Sequence, residues 1–217
     1  MEYLVGKLVR NMKYDILNNI SRGENLLYKV ISRLWYCHFF KKFGKNSKIV
    51  RPLSMRGTRN IIIEDNITIN KYVHLVTETG DKEYMTPRLI IRSGTTIGNF
   101  NHIVCTDEIY IGHHVLTGDR VYITDNYHKY DNLEMPISRQ GISSKGKTVI
   151  GDETWIGENV CVISAKIGKH CVIGSNSVVT RNIPDYCIAV GAPARVIKKF
   201  DINKQKWVKV YEETGKY

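Results

Sequence analysis

One histidine, in a polar stretch between two regular regions of the sequence, is the clearest candidate for chemistry. His128 follows Thr124-Asp125-Asn126-Tyr127 and lies upstream of Trp155-Ile156-Gly157. An imidazole group titrates near neutral pH, so it can remove the proton from a hydroxyl group as that oxygen attacks an acyl donor. The other histidines lie in repetitive or helical segments, where surface and packing roles are more common. We therefore interpret His128 as a general base; the alternative is a solvated loop side chain.

The five cysteines are a second source of reactive groups, because a thiolate can carry an acyl group as a covalent intermediate. Their number is odd, and they include no close Cys-x-x-Cys pair. This argues against a disulfide framework and against a zinc site, so we predict free thiols, three or four of them in the core. Cys105 and Cys161 are the candidate nucleophiles, but their aliphatic neighbours favour a place in the core.

An internal repeat of six residues defines the scaffold that must position His128. Aliphatic residues recur at this interval, often followed by glycine. The series are Ile63, Ile69 and Leu75; Ile91, Ile97, Ile103 and Ile109; Ile111, Thr117 and Ile123; Ile150, Ile156 and Val162; and Ile167, Ile173 and Val179. A period of six fits neither a helix of 3.6 residues per turn nor an alternating strand. It fits a short strand followed by a corner, with three such units forming one coil of a triangular prism.

This pattern predicts an all-β solenoid, in which parallel strands of successive coils stack and aliphatic side chains fill the interior. A β-sandwich is the alternative, but it would need Asn-Gly or Asp-Gly hairpin turns, and the sequence contains none. We place the β-helix over residues 45–197, between an N-terminal helical segment (1–44) and a polar C-terminal tail (198–217) that we expect to be partly helical. Residues 76–90 and 124–149 break the repeat and should protrude as loops, the second of them carrying His128.

The helical segment places apolar residues at helical spacing with basic residues between them, and a break near residues 18–23 predicts two helices. It could touch an anionic membrane or cap the open end of the solenoid; we favour the cap.

No signal-peptide pattern and no unbroken apolar run of spanning length is present, which predicts a cytoplasmic protein. The net charge of +11 favours anionic partners. No known nucleic-acid module is present, so we expect no nucleic-acid partner.

The repeats resemble those of the hexapeptide-repeat acyltransferase superfamily, whose members form left-handed parallel β-helices. The expected handedness comes only from this resemblance, because periodicity does not supply it. Residues 173–198 are the most specific match, since they resemble the segment with which the family binds coenzyme A. The contacts that the resemblance implies are Ser175 and Thr180 with the pantetheine arm, Arg181, Arg195 and Lys198 with the phosphates, and Trp155 beside the thioester channel. For Trp155, a buried aromatic side chain at a corner is the alternative.

The region around His128 resembles bacterial sugar O-acetyltransferases of the galactoside, colanic-acid and O-antigen types, in which a catalytic histidine lies in a loop before a Trp-Ile-Gly coil. Upstream, Asn99-Phe100-Asn101 and Asp107 resemble the residues that hold the acceptor sugar in the galactoside enzymes. An asparagine side chain can both donate to and accept from a sugar hydroxyl, and an aspartate can accept from a neighbouring one. The alternative for Asn99 is an ordinary corner residue. Asp125 could orient the imidazole, but we expect it to cap a turn.

The resemblance implies a homotrimeric acetyl-CoA-dependent O-acetyltransferase without a metal, with active sites shared between subunits. Its acceptor would be a sugar or glycan, lipid-linked glycans included. The alternatives are N-acylation of a nucleotide-linked amino sugar, a non-catalytic β-helix scaffold, and a γ-type carbonic anhydrase on the same scaffold. The last needs three histidine ligands with a short paired spacing, which His102, His113 and His114 lack. A scaffold would need neither the loop histidine nor the basic C-terminal residues, and both are present.

Overall fold

The computed structural model describes residues 22–79 and 86–210. A helix over residues 22–34 is followed by a 3-10 turn, Tyr36–His38, and then by a triangular solenoid of short parallel strands. Among these residues, no helix has the length and apolar character needed to cross a bilayer. Three parts of the chain lie outside the described residues: the first of the two helices expected in segment 1–44, the tip of loop 76–90 and the end of the tail.

Each coil of the solenoid contributes one strand to each of three faces, with strands numbered along the chain. The first face contains β1 (Lys42–Phe43), β4 (Ile61–Ile63), β7 (Arg88–Ile91), β10 (Glu108–Ile111), β15 (Thr148–Ile150) and β18 (Lys166–Ile167). The second contains β2 (Lys48–Ile49), β5 (Thr68–Ile69), β8 (Thr96–Ile97), β11 (Leu116–Thr117), β16 (Trp155–Ile156), β19 (Val172–Ile173) and β21 (Cys187–Val190), extended by β22 (Arg195–Asp201) and β23 (Lys206–Lys209). The third contains β3 (Ser54–Arg56), β6 (His74–Thr77), β9 (His102–Cys105), β12 (Tyr122–Thr124), β17 (Cys161–Ile163) and β20 (Val178–Val179).

The repeat of six residues places one aliphatic side chain of each strand in the interior. On the first face, Ile91 pairs in register with Ile111, then Ile150 and Ile167, and all four are buried. Burying an isoleucine contributes about 1.5–3 kcal/mol, and no single coil could bury these side chains alone. The glycine after each aliphatic residue follows from the stacking of corners: a Cβ on Gly98 would lie 2.1 Å from the carbonyl oxygen of Gly118. The repeat therefore encodes both the core and the close approach of its corners.

Two edges of the prism matter for the site. The loop edge joins the third face to the first and contains residues 106–107, 125–147, 164–165 and 180–182. The aromatic edge joins the second face to the third and contains residues 70–73, 98–101, 118–121, 157–160 and 174–177. Both predicted loops leave from the loop edge, because each lies between a third-face strand and a first-face strand. The longer one contains its own hairpin, formed by β13 (Asn126–His128) and β14 (Ile142–Ser144).

Three sequence-based expectations need correction. The tail after residue 197 is not helical where it is described: β22 pairs antiparallel with β21 and β23, covering the edge strand that the last coil would otherwise expose. The first strand, β1, begins at Lys42, slightly before the expected start of the β-helix. Cys161 is not in the core but half-buried, because it occupies an outward position on β17; Cys105, Cys171 and Cys187 are buried, and all five cysteines are free thiols.

Candidate active site

His128 ends the first strand of a short hairpin that projects from the loop edge. It pairs with Ile142 across the antiparallel ladder, and its side chain is exposed. The next residue continues the ladder, since the Lys129 N–H donates to the Gly141 carbonyl at 3.0 Å. The imidazole is thus carried on a defined β-ribbon, outside the prism and open to a ligand.

Asp125 anchors this hairpin to the preceding coil. Its carboxylate is fully buried and accepts hydrogen bonds from the backbone N–H groups of Thr106 and Asp107, each at 2.8 Å. Burial raises the pKa of Asp125, against the opposing effect of these N–H donors. The Ser144 hydroxyl donates to the Asp125 carbonyl at 2.9 Å and so closes the root of the hairpin. Asp125 therefore caps a turn, as expected, and it brings Asp107 to the root of the hairpin that carries His128.

The tip of the loop is ordered by one glutamine and presents apolar side chains to solvent. The Gln140 amide donates to the carbonyls of Asn132 and Met135, each at 2.7 Å, and its oxygen accepts from the Asn132 N–H. Four large apolar side chains are exposed around it: Tyr130, Leu133, Met135 and Ile137. Leu133 is 97% exposed. A fixed loop with an uncovered apolar tip is typical of a surface that meets another molecule.

Asn99 lies on the other edge, within a polar network of stacked corners. Its amide donates to both carboxylate oxygens of Asp119, at 3.1 and 3.2 Å, and its oxygen accepts from the Lys71 N–H at 3.2 Å. These bonds match the corner role that we gave as its alternative. Beside it, Phe100 stacks on Tyr72 of the coil below, with ring centroids 5.0 Å apart and both rings well exposed.

Sequence reasoning named Phe100 as part of the Asn-Phe-Asn motif but missed its pairing with Tyr72. The signal was available, because Tyr72 and Phe100 each come three residues after an inward isoleucine and therefore occupy equivalent corner positions. Both have positive φ, of 59° and 56°, a backbone conformation that bulky residues rarely adopt. Two large aromatic side chains held there form an apolar surface next to Asn99.

Three of the six residues expected to bind coenzyme A, Trp155, Arg195 and Lys198, lie in one column on the outward side of the second face. Trp155 pairs with Val172, Val172 with Ile188, and Ile188 with Lys198. Partners in a ladder point to the same side, and neighbouring strands lie about 4.8 Å apart, so about 14 Å separate Trp155 from Lys198. Trp155 is 52% exposed, which contradicts the buried alternative for its ring.

A β-bulge places the second cation on this side. Residues three apart in a regular strand point to opposite sides, but the register between β21 and β22 shifts at Ile188/Ala189. As a result Arg195 pairs with Val190 and Lys198 with Ile188, both of which point outward, whereas Lys199 pairs with the buried Cys187. The column therefore runs from an exposed indole over aliphatic side chains to two cationic groups.

The predicted site residues divide between two parts of the chain. Asp107, His128, Thr180 and Arg181 lie on the loop edge, with Thr180 and Arg181 exposed. Asn99 and Ser175 lie on the aromatic edge and Trp155, Arg195 and Lys198 on the second face; the Ser175 hydroxyl accepts from the Glu158 N–H at 3.2 Å. The third face separates the two groups, so one chain does not bring them together. A groove of about 560 Å³ on the first face, lined by Tyr110, Lys166 and Lys169, contains none of these residues.

The cysteine alternative is weakened by the environment of Cys105. Its side chain is buried, and burial together with the neighbouring Asp125 raises the pKa of the thiol well above its usual value. A thiol held in this way is a poor nucleophile.

Within the described residues, no group of three or more His, Cys, Asp or Glu side chains is arranged to hold a metal ion.

Comparisons with known proteins agree with this architecture. No protein-family model matches the chain. It is 32% identical over 161 residues to a putative acetyltransferase of Saccharomyces cerevisiae, covering 72% of this chain and 71% of the yeast protein. It is 27% identical over 201 residues to the putative lipopolysaccharide biosynthesis O-acetyltransferase WbbJ of Escherichia coli, covering 85% of this chain and all of that protein. A probable acetyltransferase of Mycobacterium tuberculosis is 41% identical over 136 residues, which are 61% of this chain but only 44% of that longer protein.

A solved structure shows the same fold. The N-acyltransferase AntD of Bacillus cereus, in complex with dTDP and 3-hydroxybutyryl-CoA, superimposes with a TM-score of 0.61 at 19% identity over 78% of this chain and 88% of AntD. The fold class expected from the sequence, a left-handed parallel β-helix of hexapeptide repeats, is confirmed.

Fold and relatives together define an acyltransferase. The chain belongs to the hexapeptide-repeat acyltransferase family, as its repeats predicted.

Proposed function

We propose that the protein is an acetyl-CoA-dependent O-acetyltransferase that modifies a hydroxyl group of a sugar, with His128 as general base and with active sites shared between the subunits of a homotrimer. The observation that carries this proposal is the division of the predicted site residues between the loop edge and the second face. In a cyclic trimer, two different surfaces of neighbouring subunits meet. In the proposed assembly these are the loop edge of one subunit and the aromatic edge and second face of the next. Such an arrangement would unite His128 with Asn99 and Trp155.

The loop tip supports contact with a neighbouring subunit. Gln140 fixes its shape, and its apolar side chains are exposed in the described part of the chain, so contact with a neighbouring subunit would bury them. Light scattering of the purified protein should therefore give the mass of a trimer.

The second-face column fits the donor. Val172 and Ile188 offer apolar contacts to a thin, flexible arm, and Arg195 and Lys198 offer charge-assisted hydrogen bonds to phosphates at its end. Trp155, at the other end, would border the thioester. In the reaction His128 takes the proton of the acceptor hydroxyl as its oxygen attacks the thioester carbonyl, and it returns that proton to the departing thiolate.

The surface around Asn99 supports a sugar acceptor. Phe100 and Tyr72 present an apolar surface on which the C–H groups of a pyranose ring can pack, and polar side chains at the adjacent corners can bind its hydroxyls. The Escherichia coli relative is named for lipopolysaccharide biosynthesis, which favours a surface glycan or its precursor as the substrate of this chain. We place the reaction in the cytoplasm, a compartment in which the five free thiols would stay reduced.

N-acylation of an amino sugar is the second candidate, because AntD, which shares the fold, is an N-acyltransferase. Mass spectrometry of products formed from acetyl-CoA and candidate glycans separates the two. An O-acetyl ester is removed by mild hydroxylamine, whereas an amide resists it. A stable adduct formed only on amino sugars would favour the second candidate.

Subunit complementation tests the shared site. His128→Ala inactivates the loop edge of a subunit, and Trp155→Glu should block its donor column; each variant alone should be nearly inactive. When the two variants are co-expressed and mix at random, a site is intact only where the loop edge comes from the Trp155 variant and the donor column comes from the His128 variant. About a quarter of the sites should meet this condition, so about a quarter of the wild-type activity should return. Co-expression of His128→Ala with His128→Gln is the matched control and should recover nothing. Recovery no better than this control would overturn the shared site.

A further inference from the structure

The helix over residues 22–34 carries a row of large apolar side chains that the rest of the described chain leaves exposed. Leu26, Val30 and Leu34 recur every four residues. Leu27, beside Leu26 in the chain, and Trp35, directly after Leu34, are also exposed. Their exposed fractions range from 46% at Val30 to 66% at Leu34. The aliphatic residues that fill the solenoid are almost completely buried, so these exposed side chains are a separate feature of the surface.

The opposite side of this helix holds it on the solenoid. The Ser32 hydroxyl is buried and accepts from the Ile49 N–H at 2.9 Å. Glu24 bridges Arg51 and Lys71, with both N–O distances at 2.7 Å. These contacts hold the helix against the first two coils, which is where we expected a cap. They also determine which side of the helix faces outward.

The third side of the helix is cationic. Lys29 and Arg33, one turn apart, line a groove of about 390 Å³ together with Lys45 and Phe43. Neither Lys29 nor Arg33 forms an ion pair with another residue of the described chain. Glu24 is the one acidic residue in positions 22–46, and it is turned toward the solenoid. The outward surface of the helix therefore combines an apolar row with positive charge along its flank.

We infer that this outward surface, formed by Leu26, Val30, Leu34, Trp35 and the flanking Lys29 and Arg33, binds the face of a bilayer that contains anionic phospholipids. An amphipathic helix of this kind lies in the plane of the interface, with its apolar row among the acyl chains and its cations at the headgroups. A tryptophan side chain at the end of the row suits the headgroup level. The inference is independent of the proposed reaction.

Charge selects the lipid surface over the other possible occupants. The same surface on a second copy carries the same cations and no acidic side chain, since Glu24 is turned toward the solenoid, so pairing of two such surfaces lacks the electrostatic attraction that an anionic bilayer supplies. Free phosphate could fill the groove beside Lys29 and Arg33, but it would leave the apolar row in water.

Vesicle flotation of the full chain, without substrates, tests this inference. We expect binding to vesicles of phosphatidylcholine with phosphatidylglycerol, weak binding to phosphatidylcholine alone, and a decline as salt rises. Leu26→Ser with Leu34→Ser should lower vesicle affinity about tenfold or more, and Lys29→Glu with Arg33→Glu should abolish the preference for anionic lipid. Tryptophan emission should shift to the blue on binding in the wild type and not in Trp35→Phe.

Ile202→Ser is the matched control, because Ile202 is 64% exposed in the C-terminal hairpin, far from the helix along the solenoid. It should bind vesicles like the wild type, and circular dichroism should show that every variant is folded. Three outcomes would overturn the inference. These are equal vesicle binding by the Leu26→Ser, Leu34→Ser variant and the wild type, full competition by inorganic phosphate at constant ionic strength, and a change of oligomeric mass in the leucine variant.

Discussion

The backbone N–H of Asp107 donates a hydrogen bond of 2.8 Å to the buried carboxylate of Asp125, and this bond ties the coil below to the hairpin that carries His128. One carboxylate thus joins two residues that the sequence separates by 18 positions. The position of the candidate base therefore depends on this connection as well as on the hairpin itself.

Asp125→Asn should therefore lower the free energy of unfolding by about 1–3 kcal/mol. An amide has a single oxygen acceptor, so one of the two buried N–H groups of Thr106 and Asp107 would face an NH2 group instead. Urea unfolding measures the change. Asp131→Asn, on the exposed part of the same loop, is the control and should be neutral within error.

The stability that Asp125 contributes should also depend on pH. Its pKa is raised in the folded chain, so the folded state binds the proton more tightly than the unfolded state does. The contribution is therefore largest at low pH and is lost as pH rises through the folded-state pKa. The stability of the wild type relative to Asp125→Asn should grow between about pH 7 and about pH 4. A difference that is constant over this range would contradict the assignment.

His128→Ala should reduce kcat about a hundredfold or more, because proton removal by a placed base typically contributes a factor of this size. Acetyl-CoA affinity, measured by calorimetry, should stay close to that of the wild type. His114→Asn removes an exposed imidazole at a corner of the second face and should leave kcat unchanged. Near-normal turnover by His128→Ala, or an acetylated cysteine trapped on the wild-type protein, would refute the general-base assignment.

The double change Arg195→Ala and Lys198→Ala should weaken acetyl-CoA binding about 3- to 10-fold, with the larger effect at low salt, where charge attraction is less screened. The matched control is Lys199→Ala with Lys206→Ala, which removes the same charge from the other side of the hairpin. Titration calorimetry at two salt concentrations compares them. Equal losses in both double variants would mean that only the net charge matters.

Phe100→Asn should raise KM for the sugar acceptor about 3- to 10-fold while leaving KM for acetyl-CoA unchanged, because it removes the apolar surface next to Asn99. Asparagine tolerates the positive φ of this corner, so the backbone should not change. Tyr186→Asn makes a comparable change at a positive-φ corner on the remaining edge and should affect neither KM. An unchanged acceptor KM in Phe100→Asn would place the sugar elsewhere.

Much of the scaffold could be predicted from sequence because its repeat is local. Each coil needs an inward aliphatic residue every six positions and a glycine where corners approach closely. These residues therefore recur in the sequence of each coil. The loop that carries His128 was visible as an interruption of that repeat. The residue type of Asp125 favoured a turn-capping role, but the turn that it caps lies in the preceding coil, which the sequence did not indicate.

What the tertiary structure decided is which of these residues lie on the same side of the prism. Asn99 and His128 are both near coil corners, yet stacking puts them on different edges. One inserted residue at a bulge brings Lys198 to the side of Arg195, and the exposed backbone of the last coil turns the polar tail into a hairpin. These outcomes depend on pairing between strands distant in sequence, which a period along the chain does not record.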